Sequence, residues 1–319
     1  MILTDYLLSE RNISWDYAKQ LGIRHGVIRL PEDAWFDVTD RAHWKTVYKG
    51  FTDFGIEPIV IEPMPNNLHD HIKEGDKQRD ESIEKVIKMF PIMEELGINT
   101  ICFNFMAYIG WLRTSANYAE RGNALSTAFN IEDFKPADNH TITEKELWDN
   151  YTYFIKAVIP EAEKHDIFLG LHPDDPPVAK LGGVSRIMTS FENIHKACHI
   201  VESPNIGVTM CQACYVEMGE NLEEVIKEFA EENKIFFIHF RDVVGNRYNF
   251  HESFHDNGMT DMAKIISLYN SLNIDVPIRV DHVPTMANED TDTPGYAALG
   301  RLYAIGYLKG LIDGVRREK

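Results

Sequence analysis

The sequence predicts an α/β fold in which residues 1–319 form one (β/α)8 TIM barrel. Short runs rich in Ile, Val and Phe alternate with longer amphipathic segments along the whole chain, which is the pattern of βα units. A length of 319 residues suits one such barrel, and no linker or low-complexity stretch divides it. The runs IVIEPM, FFIHF and ICFNF are apolar on both faces, as are strands of a parallel sheet covered by helices.

Eight strands and eight helices follow from these patterns. The apolar, β-rich runs predict strands at residues 1–4, 25–30, 58–64, 99–105, 168–172, 206–210, 235–240 and 277–280. Apolar residues at helical spacing predict helices at residues 15–21, 41–54, 80–96, 145–165, 186–201, 222–232, 259–272 and 295–314. Thr143 and Glu146 have the spacing of a capping box at the start of the fourth helix. Eight such units without a solenoid repeat favour a closed barrel over a doubly wound sheet.

Three connections between a strand and the next helix are long, at residues 65–79, 106–142 and 242–258. Loops of this length in a compact domain are usually functional. In a barrel all three lie on the C-terminal face, where active sites are found. We therefore expect the active site on that face.

Composition restricts the partners. A net charge of −18 argues against nucleic acids and anionic membranes, and an anionic substrate would need local positive charge from a metal or arginines. The N-terminus has no signal-peptide features, and no apolar run approaches the length of a membrane span. Four cysteines are too few for a disulfide scaffold. A cytoplasmic protein is expected, with a small molecule as its partner.

Four consecutive predicted strands end in residues that bind metals. The fifth ends in His172, the sixth runs into Cys211, the seventh contains His239, and the eighth runs into Asp281. Two imidazoles, a thiolate and a carboxylate would hold a divalent ion such as Mn²⁺, Fe²⁺ or Zn²⁺. A single buried His or Cys is usually part of the core, but four at equivalent positions are hard to explain by packing. The pattern predicts a metal site.

Several motifs together resemble the mannonate dehydratase family: HPDDPP, TMC, HFRD, FHE-x-x-H, the DH pair, PGY…GRL, and FNFMAYIGWLRT at residues 103–114. The resemblance implies a xylose-isomerase-like barrel that dehydrates a sugar acid, D-mannonate above all, to 2-keto-3-deoxy-D-gluconate. It assigns the metal, Mn²⁺ or Fe²⁺, to the four residues above. It also makes His282 and Tyr296 the acid–base pair. An anionic sugar-acid substrate and a homo-oligomer are expected.

The chemistry suits these residues. Dehydration of a 2,3-dihydroxy acid needs a base for the proton on C2 and an acid for the departing 3-hydroxyl. A metal would stabilise the charge that develops on the carboxylate side. His282 follows a predicted ligand, and Tyr296 follows a Pro-Gly turn. The sequence leaves open which of the two is the base.

Substrate contacts are expected from four residues. Arg241 and Arg113 could clamp the substrate carboxylate, although a structural salt bridge explains each of them equally well. Asn104 and Glu62 lie at the ends of the fourth and third strands and could bind substrate hydroxyls. In HPDDPP, Asp174 and Asp175 either orient His172 or cap the following segment.

Two further motifs are given little weight. His251 to His255 match HExxH, but the zinc-protease motif needs a helix, and these residues lie in a long loop. Cys211 and Cys214 match C-x-x-C without a second pair, so we expect no thioredoxin-like helix there and no role for Cys214.

Three other functions compete with the dehydratase. A sugar isomerase or epimerase on the same barrel would usually bind its metal with several Glu and Asp residues. A metal hydrolase would use the same ligands to activate water, and a binding protein would not need a thiolate ligand. RVDH and QACY depart from the usual family sequences near the substrate, so the reaction class is better supported than the sugar acid.

Overall fold

A computed structural model describes residues 1–289 and 292–317, and its centre is a closed barrel of eight parallel strands. The barrel strands are β1 (Ile2–Leu8), β2 (His25–Arg29), β3 (Glu57–Ile61), β4 (Thr100–Phe103), β5 (Phe168–Leu171), β6 (Ile206–Cys211), β7 (Ile235–Phe240) and β8 (Pro277–Val280). Each strand pairs with the next along the chain, and β1 pairs in parallel with β8 to close the barrel. The predicted fold class is confirmed.

Ten helices surround the barrel within the described residues: α1 (Ile13–Gln20), α2 (Arg41–Phe54), α3 (Asn66–Glu74), α4 (Arg79–Leu96), α5 (Glu144–Lys164), α6 (Phe191–Cys198), α7 (Gln212–Met218), α8 (Leu222–Glu231), α9 (Met262–Ser271) and α10 (Ala298–Arg317). The capping box of α5 is confirmed. The Glu146 amide donates to the Thr143 hydroxyl (3.2 Å), and the Glu146 carboxylate accepts from the Thr143 amide (2.8 Å). None of these helices is long and apolar enough to cross a bilayer.

The structure departs most from the sequence-based elements in four places, and several other ends, among them those of β3, α9 and α10, differ by up to three residues. β1 continues to Leu8, beyond the predicted residues 1–4. The helix predicted at residues 186–201 begins only at Phe191, because Ser190 caps it there. The short helices α3 and α7 were not predicted; α3 lies within the connection at residues 65–79. α7 begins directly after Cys211, so the C-x-x-C pair does open a helix, contrary to the expectation.

The connections after β4, β5 and β7 fold into a cap of two small sheets. The first has four strands in the order Val243–Asn246, Asn249–Glu252, Leu125–Asn130 and Ser115–Ala119. The second has three, Thr141–Ile142, Gly183–Ser185 and Lys180–Leu181. Two 3-10 turns, Arg121–Asn123 and Ile131–Asp133, lie in the connection after β4. Because the connections after β4 and β7 pair with each other, they carry side chains from distant parts of the chain toward the barrel mouth.

Candidate active site

The four predicted metal ligands meet at the C-terminal mouth of the barrel. His172 follows β5, Cys211 ends β6, His239 lies in β7 and Asp281 follows β8. Cys211 pairs in register with His239, so neighbouring strands place both side chains at one height. One ligand atom from each of the four residues lies within 4.8 Å of the others. The structure therefore brings the predicted set together.

The geometry of this cluster fits a cation. The Nε2 atom of His172 is 3.2 Å from Nδ1 of His239, which is 3.5 Å from Oδ2 of Asp281. Nδ1 of His172 lies 2.6 Å from the Pro173 carbonyl, which can only accept a hydrogen bond. The proton of a neutral ring is thus on Nδ1, and the lone pair of Nε2 faces the cluster. Histidines that bind metals are commonly oriented in this way.

The two cysteines of α7 are in contact. The Cys214 thiol donates to Sγ of Cys211 at 3.4 Å, and both are buried. Burial alone would raise the pKa of Cys211, but this hydrogen bond and the charges of Arg241 and His172 hold that pKa well below its usual range. Burial raises the pKa of Cys214, so it keeps its proton. Cys214, for which the sequence suggests no role, is therefore in direct contact with a predicted ligand.

The predicted acid–base pair lies beside this cluster. The rings of His282 and Tyr296 meet edge to face, with centroids 5.2 Å apart. The Tyr296 hydroxyl is 3.4 Å from Oδ1 of Asp281. The Trp111 ring packs on the His282 ring, with centroids 4.8 Å apart. Burial and the Asp281 charge raise the pKa of Tyr296 well above its usual value. Tyr296 therefore holds its proton at neutral pH.

Glu252 is a partner of His282 that the sequence did not reveal. Oε1 of Glu252 lies 3.1 Å from Nδ1 of His282. Burial would raise the pKa of Glu252, but Arg241, Arg113 and His282 hold it below its usual value. Nδ1 of His282 thus donates to a carboxylate, and Nε2 lies on the side of the cluster, 3.7 Å from Oδ1 of Asp281. The only hint of Glu252 in the sequence was its place in the HExxH match. His251 and Glu252 lie on a strand, which confirms that the motif is not a protease helix.

A cavity of about 600 Å³ opens above the cluster. Glu62 and Asn104 lie on its wall, as expected, together with Trp111, His282 and Tyr296. Arg279 also lies on the wall and was not predicted; it binds Glu62 through two hydrogen bonds of 2.7 and 2.8 Å and Asp281 at 2.9 Å. Burial raises the pKa of Glu62 and Arg279 lowers it, with a net value of about 2. Glu62 is therefore ionised.

The other two arginines lie behind this wall. Arg241 is fully buried. Its Nη1 atom donates to Asp175 at 2.7 Å, and its Nη2 atom donates to Glu217 at 2.6 Å. The Nε atom lies 3.1 Å from Glu252. Arg113, whose side chain is 3% exposed, donates to Asp175 at 2.9 Å and to Glu252 at 2.5 Å. Of the two readings of the sequence, the geometry favours the structural salt bridge for both arginines. The guanidinium groups hold carboxylates, and neither residue lines the cavity.

Of the two roles predicted for the HPDDPP aspartates, orienting His172 or capping the following segment, the contacts favour the second for Asp174. Asp175 binds the two arginines, which lower its pKa against the effect of burial. Oδ2 of Asp174 accepts from the amides of Ile187 and Met188, each at 3.1 Å. Neither aspartate has a described hydrogen bond to His172, whose Nδ1 is held by Pro173. Asp174 thus binds the backbone of the following segment. Asp175 pairs with Arg113 and Arg241, which both also contact Glu252.

The fold and this cluster define a (β/α)8-barrel enzyme with its candidate active site at the C-terminal mouth. The model of the family described as D-mannonate dehydratase (UxuA) matches residues 6–140 and 132–319. The chain therefore belongs to this family, and it is a hydro-lyase that dehydrates a sugar acid. The family resemblance expected from the motifs is confirmed.

Individual relatives agree with the family model. Mannonate dehydratase of Streptococcus equi subsp. zooepidemicus is 32% identical over 293 residues, 82% of this chain and 80% of that protein. Mannonate dehydratase 2 of Halalkalibacterium halodurans is 29% identical, and the match covers 95% of this chain and 96% of that protein. The crystal structure of mannonate dehydratase from Streptococcus suis serotype 2 has a TM-score of 0.90 at 26% identity. The match covers 100% of this chain and 94% of that one.

More distant structures show the fold alone. A xylose isomerase domain protein from Planctomyces limnophilus has a TM-score of 0.64 at 11% identity and covers 99% of this chain and 98% of its own. This likeness confirms a xylose-isomerase-like barrel.

Proposed function

We propose that this enzyme converts D-mannonate to 2-keto-3-deoxy-D-gluconate and water, with one divalent cation held by His172, Cys211, His239 and Asp281. The observation that carries the proposal is the meeting of these four groups beside His282 and Tyr296. From the family resemblance we expect Mn²⁺, or alternatively Fe²⁺ or another divalent ion, and imidazole, thiolate and carboxylate groups are ligand types of divalent transition metals. When bound, the cation would stabilise negative charge on the carboxylate side of the substrate.

The protein residues carry the protons in this proposal. Glu252 holds the Nδ1 proton of His282, so Nε2 is the base that takes the proton from C2. The Tyr296 hydroxyl is the acid that protonates the 3-hydroxyl as the C3–O bond breaks. The enol formed between C2 and C3 then becomes the 2-keto product by taking a proton at C3 and releasing the proton of its C2 hydroxyl. Trp111 covers His282 and limits its contact with water.

Substrate binding needs positive charge in an acidic chain. Arg279 is the guanidinium on the wall nearest the cluster, although Glu62 and Asp281 already pair with it. We therefore assign recognition of the substrate carboxylate mainly to the cation. Asn104 and Glu62 offer an amide and a carboxylate to the sugar hydroxyls from the same wall. Arg241 and Arg113 support this wall from behind. A cytoplasmic homo-oligomer stays a prediction of the sequence.

Product analysis tests the proposal. The protein, loaded with Mn²⁺ or Fe²⁺, is incubated with D-mannonate, and the product is identified by mass spectrometry and a 2-keto acid assay. We expect a product lighter than the substrate by one water that reacts as a 2-keto-3-deoxy acid. A product of unchanged mass would indicate isomerisation or epimerisation, and an unchanged substrate would reject D-mannonate.

A further inference from the structure

Two histidines and a glutamate meet on the outer helices, away from the barrel mouth. His195 lies in the last turn of α6, His199 is the C-cap residue of α6, and Glu232 is the C-cap residue of α8. One ligand atom from each lies within 4.8 Å of the others. Barrel helices run antiparallel to the strands, so their C-termini lie at the face opposite the mouth. This cluster is therefore separate from the active site.

The hydrogen bonds of His199 determine where its free nitrogen points. Nδ1 is 2.7 Å from the carbonyl oxygen of His195, which can only accept. In the neutral ring Nδ1 thus carries the proton, and Nε2 has a lone pair. That Nε2 faces Oε2 of Glu232 at 3.5 Å. Two lone pairs that face each other repel unless a proton or a metal ion lies between them. A carbonyl on the opposite ring nitrogen is a common feature of histidines that bind metals.

The second histidine completes a concave set of donors. The His195 ring stacks on the His199 ring with centroids 4.2 Å apart, and its Nε2 lies 2.9 Å from Oε1 of Glu232. Phe191 and Phe229 pack against the His195 ring at 5.5 and 6.0 Å and restrict its rotation. The three side chains are about one-third exposed, at 36%, 28% and 32%, so water can complete a coordination shell. Two helix C-termini meet here, and their dipoles attract a cation.

We propose that His195, His199 and Glu232 form a surface site for one divalent transition-metal ion of the Zn²⁺ class. Two imidazoles and a carboxylate suit Zn²⁺, Ni²⁺ or Cu²⁺, whereas Mg²⁺ and Ca²⁺ prefer oxygen ligands alone. The ion joins the C-terminal ends of α6 and α8, which follow the neighbouring strands β5 and β6. Because it binds only the folded arrangement of these helices, it raises the melting temperature of the barrel.

Zinc titration of the full chain tests this site. The protein is first loaded with Mn²⁺; Zn²⁺ is then added, and uptake is measured by calorimetry and by metal analysis after dialysis. We expect the wild type to bind one more Zn²⁺ per chain than His199→Gln and Glu232→Gln, whose affinity at this site falls at least tenfold. The melting temperature should rise with Zn²⁺ in the wild type and not in these variants.

A matched control comes from another surface pair. His165 lies 2.6 Å from Glu94 and is 27% exposed, close to the 28% of His199, so His165→Gln removes a comparable histidine without touching the cluster. This variant should bind Zn²⁺ like the wild type. Zinc uptake and melting shifts that are equal in the wild type, His199→Gln and Glu232→Gln would overturn the proposal. They would leave the cluster as a histidine–glutamate ion pair.

Discussion

Replacing Tyr296 by phenylalanine removes one hydroxyl group from the cavity wall and keeps the ring. The ring packs edge-on against His282 at 5.2 Å and lies 5.7 Å from the Tyr6 ring, and the phenylalanine ring can make both contacts. The hydroxyl makes one long hydrogen bond, 3.4 Å, to Oδ1 of Asp281. The variant therefore separates proton transfer from packing.

The expected magnitude follows from these contacts. A positioned acid or base contributes about 10²- to 10⁴-fold to the rate, and a 100-fold loss corresponds to about 2.7 kcal/mol of barrier. Loss of a hydrogen bond to a charged group changes the free energy of unfolding by about 1.5–3 kcal/mol, and a bond of this length belongs at the lower end. We expect kcat to fall by about 100-fold or more while metal content and KM change little.

The assay combines three measurements on one preparation. Initial rates of 2-keto acid formation from D-mannonate give kcat and KM, metal analysis gives the ion content per chain, and thermal melting gives stability. Tyr303→Phe is the matched control. Tyr303 lies on α10, its ring is 37% exposed, and it is not part of the cavity wall. The same loss of a phenol hydroxyl should leave its kcat unchanged.

A Tyr296→Phe enzyme that turns over D-mannonate at close to the wild-type rate would refute this reasoning. Tyr296 would then only pack the segment before α10. The acid would have to be sought among His251, His255 and the long connections of the cap.

Three other predictions use the same measurements. Cys211→Ser should lower metal affinity at least tenfold more than Cys214→Ser, because only Cys211 presents a thiolate to the cluster. A serine at position 214 can still donate a hydrogen bond to the Cys211 thiolate. Equal effects of the two changes would favour a C-x-x-C site. His282→Asn should bind metal and lose activity, and retained activity would exclude His282 as the base. Arg241→Ala should lower the free energy of unfolding by about 3–5 kcal/mol, since it removes a buried partner of Asp175 and Glu252 and takes from Glu217 its described ion pair. The exposed Arg11→Ala should cost less than about 1 kcal/mol, and equal costs would contradict the buried network.

The ligand cluster could be predicted from sequence because two local rules determine it. Parallel strands all end at the same face of a barrel, and side-chain direction alternates along each strand. Metal-binding residue types at the ends of four successive strands therefore had to lie close together. His172, Cys211, His239 and Asp281 are found as those rules require.

The surroundings of His282 could not be predicted, because they depend on contacts between distant parts of the chain. Glu252 reaches His282 only because a strand of the connection after β7 pairs with one from the connection after β4. Glu217, which holds Arg241, lies on α7, whose seven residues are too few for a clear helical period. Arg241 follows His239 by two residues, but this spacing could not show that three acidic side chains already surround the guanidinium group.

Metal titration of activity tests the central claim most directly. The protein is stripped of metal with a chelator, Mn²⁺ is added back in steps, and the rate of 2-keto acid formation from D-mannonate is plotted against bound ions per chain. The geometry of the cluster predicts that the rate rises in proportion to bound metal and reaches its maximum at about one ion per chain, with no such rise in Cys211→Ser. Full turnover of D-mannonate by the stripped protein would contradict the claim.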